Sequence, residues 1–403
     1  MKRAFVITAL GIGGGQALVL LVTPFLARIY SPADFGVYAT VMAIASVVAA
    51  ISALRFDASI PAAADEDVRL LLQAGIILPL VVCPLALFSL KATIDFTGWG
   101  RNLLDEVPIQ SVLFVALFQG MVAVLLAYCT RAAWFGRSAL IRLIQASGFA
   151  IFAIFAFGSL EFALAFGWII ALFFGLVVCG SAFSINSEGM FGAIRRTWRF
   201  PIMSVPMTLL DSMAVALPVM LLVDTFGSAD AGAYTQVQRL IGAPLILCGL
   251  AVAQVFYKNA GDRYRNREPI TSLFWGVVVG LSILGLAMLV FSVIAGEFAM
   301  GLLLGQGWRV DTWFITLTLI PVIARVVVSP VSSVFLIANR IGMLSTWQVL
   351  YFMVTLLVLL IAKGKLDFDR FILAFACSEC FMYGVYLFLA TRVVRQAQSR
   401  VLV

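Results

Sequence analysis

The sequence is a train of apolar runs, each about twenty residues long and each cut off by charges, proline or glycine. That run length is what an α-helix needs to cross the roughly 30 Å hydrocarbon core of a bilayer. A membrane β-barrel would alternate apolar and polar residues over segments of about ten, a pattern absent from this sequence. The runs give twelve expected spans, at 4–26, 36–58, 70–90, 107–130, 140–159, 162–183, 201–223, 232–256, 271–295, 311–336, 342–362 and 371–391. The links between them are too short to hold a domain outside the membrane. The expected fold class is therefore an all-α polytopic membrane protein. Composition agrees: of 403 residues, 63% are hydrophobic and 12% charged, where soluble domains carry about 25% charged residues. Soluble enzymes and disordered chains are excluded.

No histidine is present, which removes Ser-His-Asp and Cys-His catalysis, imidazole metal ligands and histidine proton switches. The six cysteines, Cys83, Cys129, Cys179, Cys248, Cys377 and Cys380, lie in or beside apolar runs. Cys377 and Cys380 form a CxxC, but a zinc or redox site needs partners that the sequence lacks. All six read as packing residues, and no metal or cofactor is expected. The run from about Ala4 to Ala27 follows the basic Met1, Lys2 and Arg3. It is longer than a signal-peptide core and has no small-x-small cleavage site, so it reads as a retained first helix.

Lys and Arg outnumber Asp and Glu by 27 to 20. The basic residues are scattered through short links, which fits topology signals and contact with anionic lipid headgroups. No aromatic-plus-basic cluster points to nucleic acid. With the N-terminus inside, the inner links carry 18 Lys and Arg and the outer links 7. Both termini are therefore expected in the cytoplasm.

The segment Ala33-Asp34-Phe35-Gly36-Val37-Tyr38 recurs as Ala229-Asp230-Ala231-Gly232-Ala233-Tyr234, 196 positions later. Each copy follows the first span of a half and opens the next helix. Asp is suited to cap that helix and Gly to permit a tight turn. An even number of spans per half preserves orientation. The halves, 1–197 and 198–403, are expected to form two six-helix bundles related by an axis along the membrane normal.

Ionisable groups inside apolar spans are costly and mark candidate sites. Arg28 closes the first span, Arg55 and Asp57 lie near the end of the second, and Asp224 ends the seventh. Side chains there can snorkel to the interface, and Arg55 can simply pair with Asp57. Asp211, Arg239, Arg325 and Glu379 lie deeper. They point to a water-filled cavity or, in the blander reading, to buried ion pairs. Pro321 and Pro330 flank Arg325, and a proline-interrupted helix is a pointer to a transport site. Burial favours a protonated carboxylate, which makes Asp211 and Glu379 candidates for ion coupling. Gly13-Gly14-Gly15 reads as a close-packing seam or a bending point in the first helix. Asp65-Glu66-Asp67 reads as a solvated inner turn. Asp367-Phe368-Asp369 has the DxD form seen in metal-dependent sugar transferases, without an accompanying domain. No Gly-x-x-x-x-Gly-Lys loop is present, so ATP is not the expected energy source.

The stretch Pro24-Phe25-Leu26-Ala27-Arg28-Ile29-Tyr30-Ser31-Pro32-Ala33-Asp34-Phe35-Gly36-Val37-Tyr38 resembles the first-loop signature of bacterial polysaccharide and O-antigen flippases. Arg55-Phe56-Asp57 is similar to their Arg-aromatic-acid element. So is Tyr234-Thr235-Gln236-Val237-Gln238-Arg239, with Pro244 after it and Gln254-Val255-Phe256-Tyr257 closing the helix. The resemblance implies the multidrug/oligosaccharidyl-lipid/polysaccharide exporter superfamily, with two bundles around a central cavity that opens to either side in turn. It implies a lipid-linked oligosaccharide substrate, undecaprenyl-pyrophosphate-linked and moved from the cytoplasmic to the periplasmic leaflet of the bacterial inner membrane. Membrane lipids and other polysaccharide-assembly proteins are the implied partners. A pyrophosphate calls for a cationic cavity. Arg28, Arg55 and Arg239 sit in the matched motifs; Arg325 is added on depth alone. The three motif arginines are expected to converge on the substrate, with Arg28 nearer the outer mouth.

Two other classes compete. An ion-coupled small-molecule or multidrug antiporter of the same superfamily shares the architecture. A major-facilitator protein would carry a Gly-x-x-x-Asp-Arg-type loop after its second helix, where this chain has Ala62-Ala63-Ala64-Asp65-Glu66-Asp67-Val68-Arg69. A membrane-embedded polymerase or ligase would carry a large outer loop with reactive residues, and none is visible in the sequence. The chain is not expected to be an enzyme.

Overall fold

The computed structural model describes residues 2–98, 100–155, 158–180, 190–338, 340–362 and 365–399. All regular structure among them is helical. The long helices are α1 (Lys2–Leu26), α2 (Pro32–Ser52), α3 (Asp65–Thr97), α4 (Ile109–Arg131), α5 (Phe135–Ile154) and α6 (Leu160–Val178). They continue as α7 (Arg199–Phe226), α8 (Ser228–Arg265), α9 (Thr271–Leu304), α10 (Thr312–Val328), α11 (Ile341–Ala362) and α12 (Phe368–Ser399). Among the described residues, 11 helices are long and apolar enough to cross a membrane, and α1 adds the apolar stretch Gly13–Leu26. Large apolar side chains such as Phe96, Ile294 and Phe298 stand largely exposed on their flanks. A soluble protein would not tolerate that surface, whereas hydrocarbon covers it. The chain is a multi-pass membrane protein.

Two compact units divide it, Met1–Gly232 and Ala233–Val403. In the first, α1 lies along α5, α5 along α6, and α4 against α2, α3 and α6. Helix α7 packs on α2 and on a short helix, Arg101–Glu106. The core gathers Phe56, Ile60, Leu71, Leu72, Leu125 and Ile141, all fully buried. In the second unit α10 packs against α9 and α12, and α11 against α12. Its core is aromatic: Trp347 stacks on Tyr386 at 4.1 Å between centroids and Phe335 on Tyr386 at 5.4 Å. The Trp347 indole N–H donates to the Met382 carbonyl at 3.1 Å, so the polar handle of a buried tryptophan is satisfied.

The first-loop signature now has a physical reading. Pro32 opens α2, Ser31 caps it, and Asp34 completes a capping box. The Ser31 amide donates to Asp34 Oδ2 at 2.8 Å, and the Asp34 amide donates to Ser31 Oγ. The Tyr30 hydroxyl donates to the Ala153 carbonyl at 3.0 Å and lies 3.1 Å from that of Gly158, tying this turn to the α5–α6 link. The second copy is capped differently. Glu106 accepts from the Ser228 amide at 2.9 Å, and Asn102 donates to the Asp224 carbonyl at 3.0 Å.

The repeat's glycines are not turn residues, as the sequence suggested. Gly36 and Gly232 lie inside their helices and let the two copies cross backbone against backbone. A Cβ on Gly36 would strike the Ser228 carbonyl, and one on Gly232 would strike the Pro32 carbonyl. Both contacts run from a glycine to the residue four before its counterpart, so the crossing maps onto itself under the 196-residue offset. The glycine seam of α1 is likewise a packing device. Gly14 faces Leu143 and Gly15 faces the Arg142 carbonyl of α5, while Gly13 faces open space.

Gly36→Ala should therefore destabilise the protein by about 1–3 kcal/mol, because the intruded atom is backbone that cannot swing aside. Gly276→Ala, where a Cβ meets nothing within 4 Å, should not. Thermal unfolding of the detergent-solubilised variants measures the difference.

Candidate functional site

Each unit contributes a separate set of charged residues. In the first, Leu54 and Arg55 both take left-handed backbone conformations, at φ 49° and 62°. Such conformations cost non-glycine residues about 1–3 kcal/mol each. They turn the chain sharply at the end of α2, so that Phe56 enters the core with no exposure and Arg55 is left half-buried at the bundle's edge. The Arg55 guanidinium reaches Asp57 through one contact, Nη1 to Oδ2 at 3.4 Å. Its Nε is buried with no hydrogen-bond partner among the described residues. Burial pushes the Asp57 carboxyl above its ordinary range, against the downward pull of Arg55. The pair is thus loose, and the guanidinium keeps unused donors.

Arg28 stands exposed in the turn after α1. It does not converge with Arg55: α2 separates them end to end, and 21 residues of helix span about 30 Å. Asp211 is exposed on α7. Its position in the span suggested a buried carboxylate, but hydropathy gives depth and not face.

The second unit brings more together. Arg239 lies in a π-helical turn, Gln238–Gly242, inside α8. Pro244 follows and has no N–H to give to the carbonyl one turn back, which accounts for a local widening of the helix. Arg325 is exposed on α10. Regular helix ends at Val328 and is followed by the 3₁₀ turn Ser329–Ser333, which contains Pro330. Glu379 on α12 is 5% exposed. Its Oε2 accepts from the Tyr351 hydroxyl at 3.0 Å, and its Oε1 is buried with no hydrogen-bond partner among the described residues. Arg325 acts electrostatically on Glu379 and Tyr351, and Glu379 acts on Tyr234. The Gln238 amide donates to the Tyr234 hydroxyl at 2.7 Å.

Arg325 and Glu379 therefore belong to one polar cluster within the bundle, drawn from α8, α10, α11 and α12. Tyr351, Tyr234 and Gln238 were not among the candidate residues legible in the sequence. The last two lie inside the matched Tyr234–Arg239 motif, so the signal was present. Tyr351 carries none.

Other expectations are corrected. Asp65 and Glu66 are solvent-exposed, as expected, but Asp67 is buried and the three residues are not a turn. They open α3, where Asp65 pairs with Arg131 at 2.6 Å and the buried Asp67 pairs with Arg196 of the short helix Met190–Thr197. Asp369 of the DxD pairs with Arg309 at 2.7 Å, and that guanidinium also lies 4.9 Å from the Phe368 ring. No group of three potential ligands for a metal occurs among the described residues. Cys248 and Cys377 are exposed on helix flanks rather than packed inside, whereas Cys83, Cys129 and Cys179 are buried.

The fold is that of multidrug and lipid transporters. An inward-facing multidrug resistance MATE family transporter of the MOP superfamily superposes with TM-score 0.67 at 14% identity, covering 95% of this chain and 96% of its own. The lipid II flippase MurJ in an inward closed conformation gives TM-score 0.69 at 10% identity, covering 98% and 91%. A MOP superfamily transporter from Pyrococcus furiosus gives 0.58 at 13%, covering 98% and 96%. No curated protein sequence matches the chain. The chain matches the polysaccharide biosynthesis protein family over residues 25–311 and belongs to it.

Removing the Glu379 carboxylate strands the half-buried Tyr351 hydroxyl. Glu379→Ala should cost about 1–3 kcal/mol, with Tyr351→Phe restoring part of it. A double-mutant cycle by thermal unfolding should return a coupling of about 1–2 kcal/mol.

Proposed function

We propose that the protein is a flippase for lipid-linked oligosaccharide, carrying an undecaprenyl-pyrophosphate-linked glycan between leaflets by alternating access. The observation that carries this reading is a guanidinium with unused donors, Arg55, in a membrane-spanning chain of the polysaccharide biosynthesis family. A pyrophosphate headgroup cannot enter hydrocarbon without replacement of its water, and arginine supplies a charge that persists on desolvation and a fork that fits phosphate oxygens. Arg55 in the first unit and Arg239 in the second are each phosphate-binding residues in this proposal, Arg325 is a further cationic residue, and Arg28 guides the headgroup at the other end of α2. The face bearing the N-terminus is cytoplasmic, the membrane is the bacterial inner membrane, and the two halves, 1–197 and 198–403, descend from one duplicated bundle.

The Glu379 cluster favours a coupling role. A buried carboxylate with an oxygen unpartnered among the described residues is suited to take up a proton or cation, and the exposed Asp211 of α7 is the second ion-coupling residue in this proposal. The same feature supports a second reading, an ion-coupled antiporter for a small molecule, which shares the fold.

Arg55→Ala should abolish complementation of a flippase-deficient strain at normal protein level, with Asp57→Ala doing less harm. A loose, partly exposed pair contributes about 0–1 kcal/mol to stability, so the lost activity would come from lost binding. Normal flipping by an Arg55→Ala, Arg239→Ala double variant would overturn the proposal. In vesicles, collapse of proton and sodium gradients should stop transport, and Asp211→Asn with Glu379→Gln should do the same. Growth on the strain with transport of small cations instead would favour the antiporter.

A further inference from the structure

Arg142 lies two turns inside α5, seven residues from the helix start at Phe135. That places it about 10 Å along the axis from the end of the helix. The neighbouring link is fixed at the same face as Arg55, since Arg131 donates to the Pro61 carbonyl at 3.0 Å.

The side chain faces the bundle and not the lipid. Ser138, Ala146 and Phe149 share its stripe, at helical spacing, and all three are buried. The Phe149 ring stacks on Tyr38 of α2 at 5.5 Å. Lipid-facing residues of α5, namely Leu140, Ile151 and Ile154, occupy the other side. Along this stretch Gly14 and Gly15 bring α1 onto α5.

No described residue neutralises this charge. Arg142 makes no ion pair or hydrogen bond among the described residues, where its buried Nε also lacks a partner. By contrast, Arg131, Arg196 and Arg309 each hold an aspartate. Arg142 and Arg55 are the two arginines whose buried Nε lacks a partner among the described residues. A guanidinium without a partner among the described residues is costly inside a membrane bundle, and an anion would offset that cost.

We propose that Arg142 is an anion-binding residue for the phosphate oxygens of a prenyl diphosphate, lying deeper in the bundle than Arg55. This rests on the flippase reading and adds to it a site inside the first unit. The diphosphate meets Arg55 at the face and is then gripped by Arg142. Because the stripe faces away from lipid, the phosphate comes from a carrier drawn into the bundle and not from a bulk lipid headgroup.

The test uses the full chain in nanodiscs of neutral phosphatidylcholine, with farnesyl diphosphate and inorganic pyrophosphate as probes. Wild type should bind both. Arg142→Met should weaken binding about tenfold or more, the loss expected for a bidentate charged contact, and Arg142→Lys less. The same Arg142→Met protein should unfold at an equal or higher temperature, because an uncompensated buried charge has been removed. A lower unfolding temperature would show that Arg142 is a structural partner and would overturn the proposal. So would unchanged affinity for both probes. Loss of the Arg142-dependent binding in nanodiscs containing phosphatidylglycerol would assign the site to bulk anionic lipid and overturn the carrier assignment. If Arg142→Met flips substrate normally while Arg55→Ala does not, this inference fails and the flippase reading stands. If wild type binds pyrophosphate but not farnesyl diphosphate, the flippase reading fails and takes the carrier assignment with it.

Discussion

Hydrocarbon offers no hydrogen bonds, so each backbone N–H and C=O inside it has to be satisfied by the chain itself. That constraint forces helices everywhere and makes any interruption of the ladder costly. The interruptions are few, and three of them stand beside candidate residues. The left-handed pair Leu54 and Arg55 ends α2, the π turn at Gln238–Gly242 contains Arg239, and the 3₁₀ turn Ser329–Ser333 follows Arg325 by one turn. A broken ladder leaves backbone groups for water or ligand to use, and it stands where a charged side chain also needs company. Backbone irregularity and a charged side chain within an apolar span thus coincide at these three places.

The same constraint shapes the packing. With lipid as apolar as any side chain, helices associate by close approach. The crossing of Gly36 and Gly232 is the most intimate example, because each glycine's missing Cβ is replaced by a carbonyl of the other copy. Such Cα–H to carbonyl contacts are worth about 0.5–1 kcal/mol each. Their larger effect is steric, since they fix the register of two helices that carry the two copies of one motif. The contact maps onto itself under the 196-residue offset that relates the two six-residue segments.

The all-helical fold was legible because bilayer thickness sets helix length, and Glu379 and Arg325 were legible because charge in an apolar run is rare. What hydropathy lacks is azimuth. It placed Asp211 correctly along α7 and gave no sign that its side chain is exposed. It drew the fifth span from 140, where apolar residues begin, although helix α5 starts at Phe135, and so Arg142 looked like an end residue. Long-range pairing was equally hidden. Asp67 looked solvated because its partner, Arg196, lies 129 positions away.

The distribution of arginines between paired and unpaired states has a functional logic. At helix ends Arg131, Arg196 and Arg309 meet aspartates, and there they fix links and short helices in place. Such a pair is satisfied and has little left to offer an anion, because a ligand must first displace the carboxylate. A transport site has the opposite requirement: it must be favourable enough to enter and weak enough to leave. Arg55 approaches that condition with one long contact to a carboxyl whose burial already disfavours its charge. Arg142 meets it more fully, with no described acid beside it. An arginine without a partner costs the resting bundle stability, and that cost is recovered only while an anion is bound. Stability and ligand affinity are therefore set against each other at Arg142, which is why one substitution there is expected to move them in opposite directions.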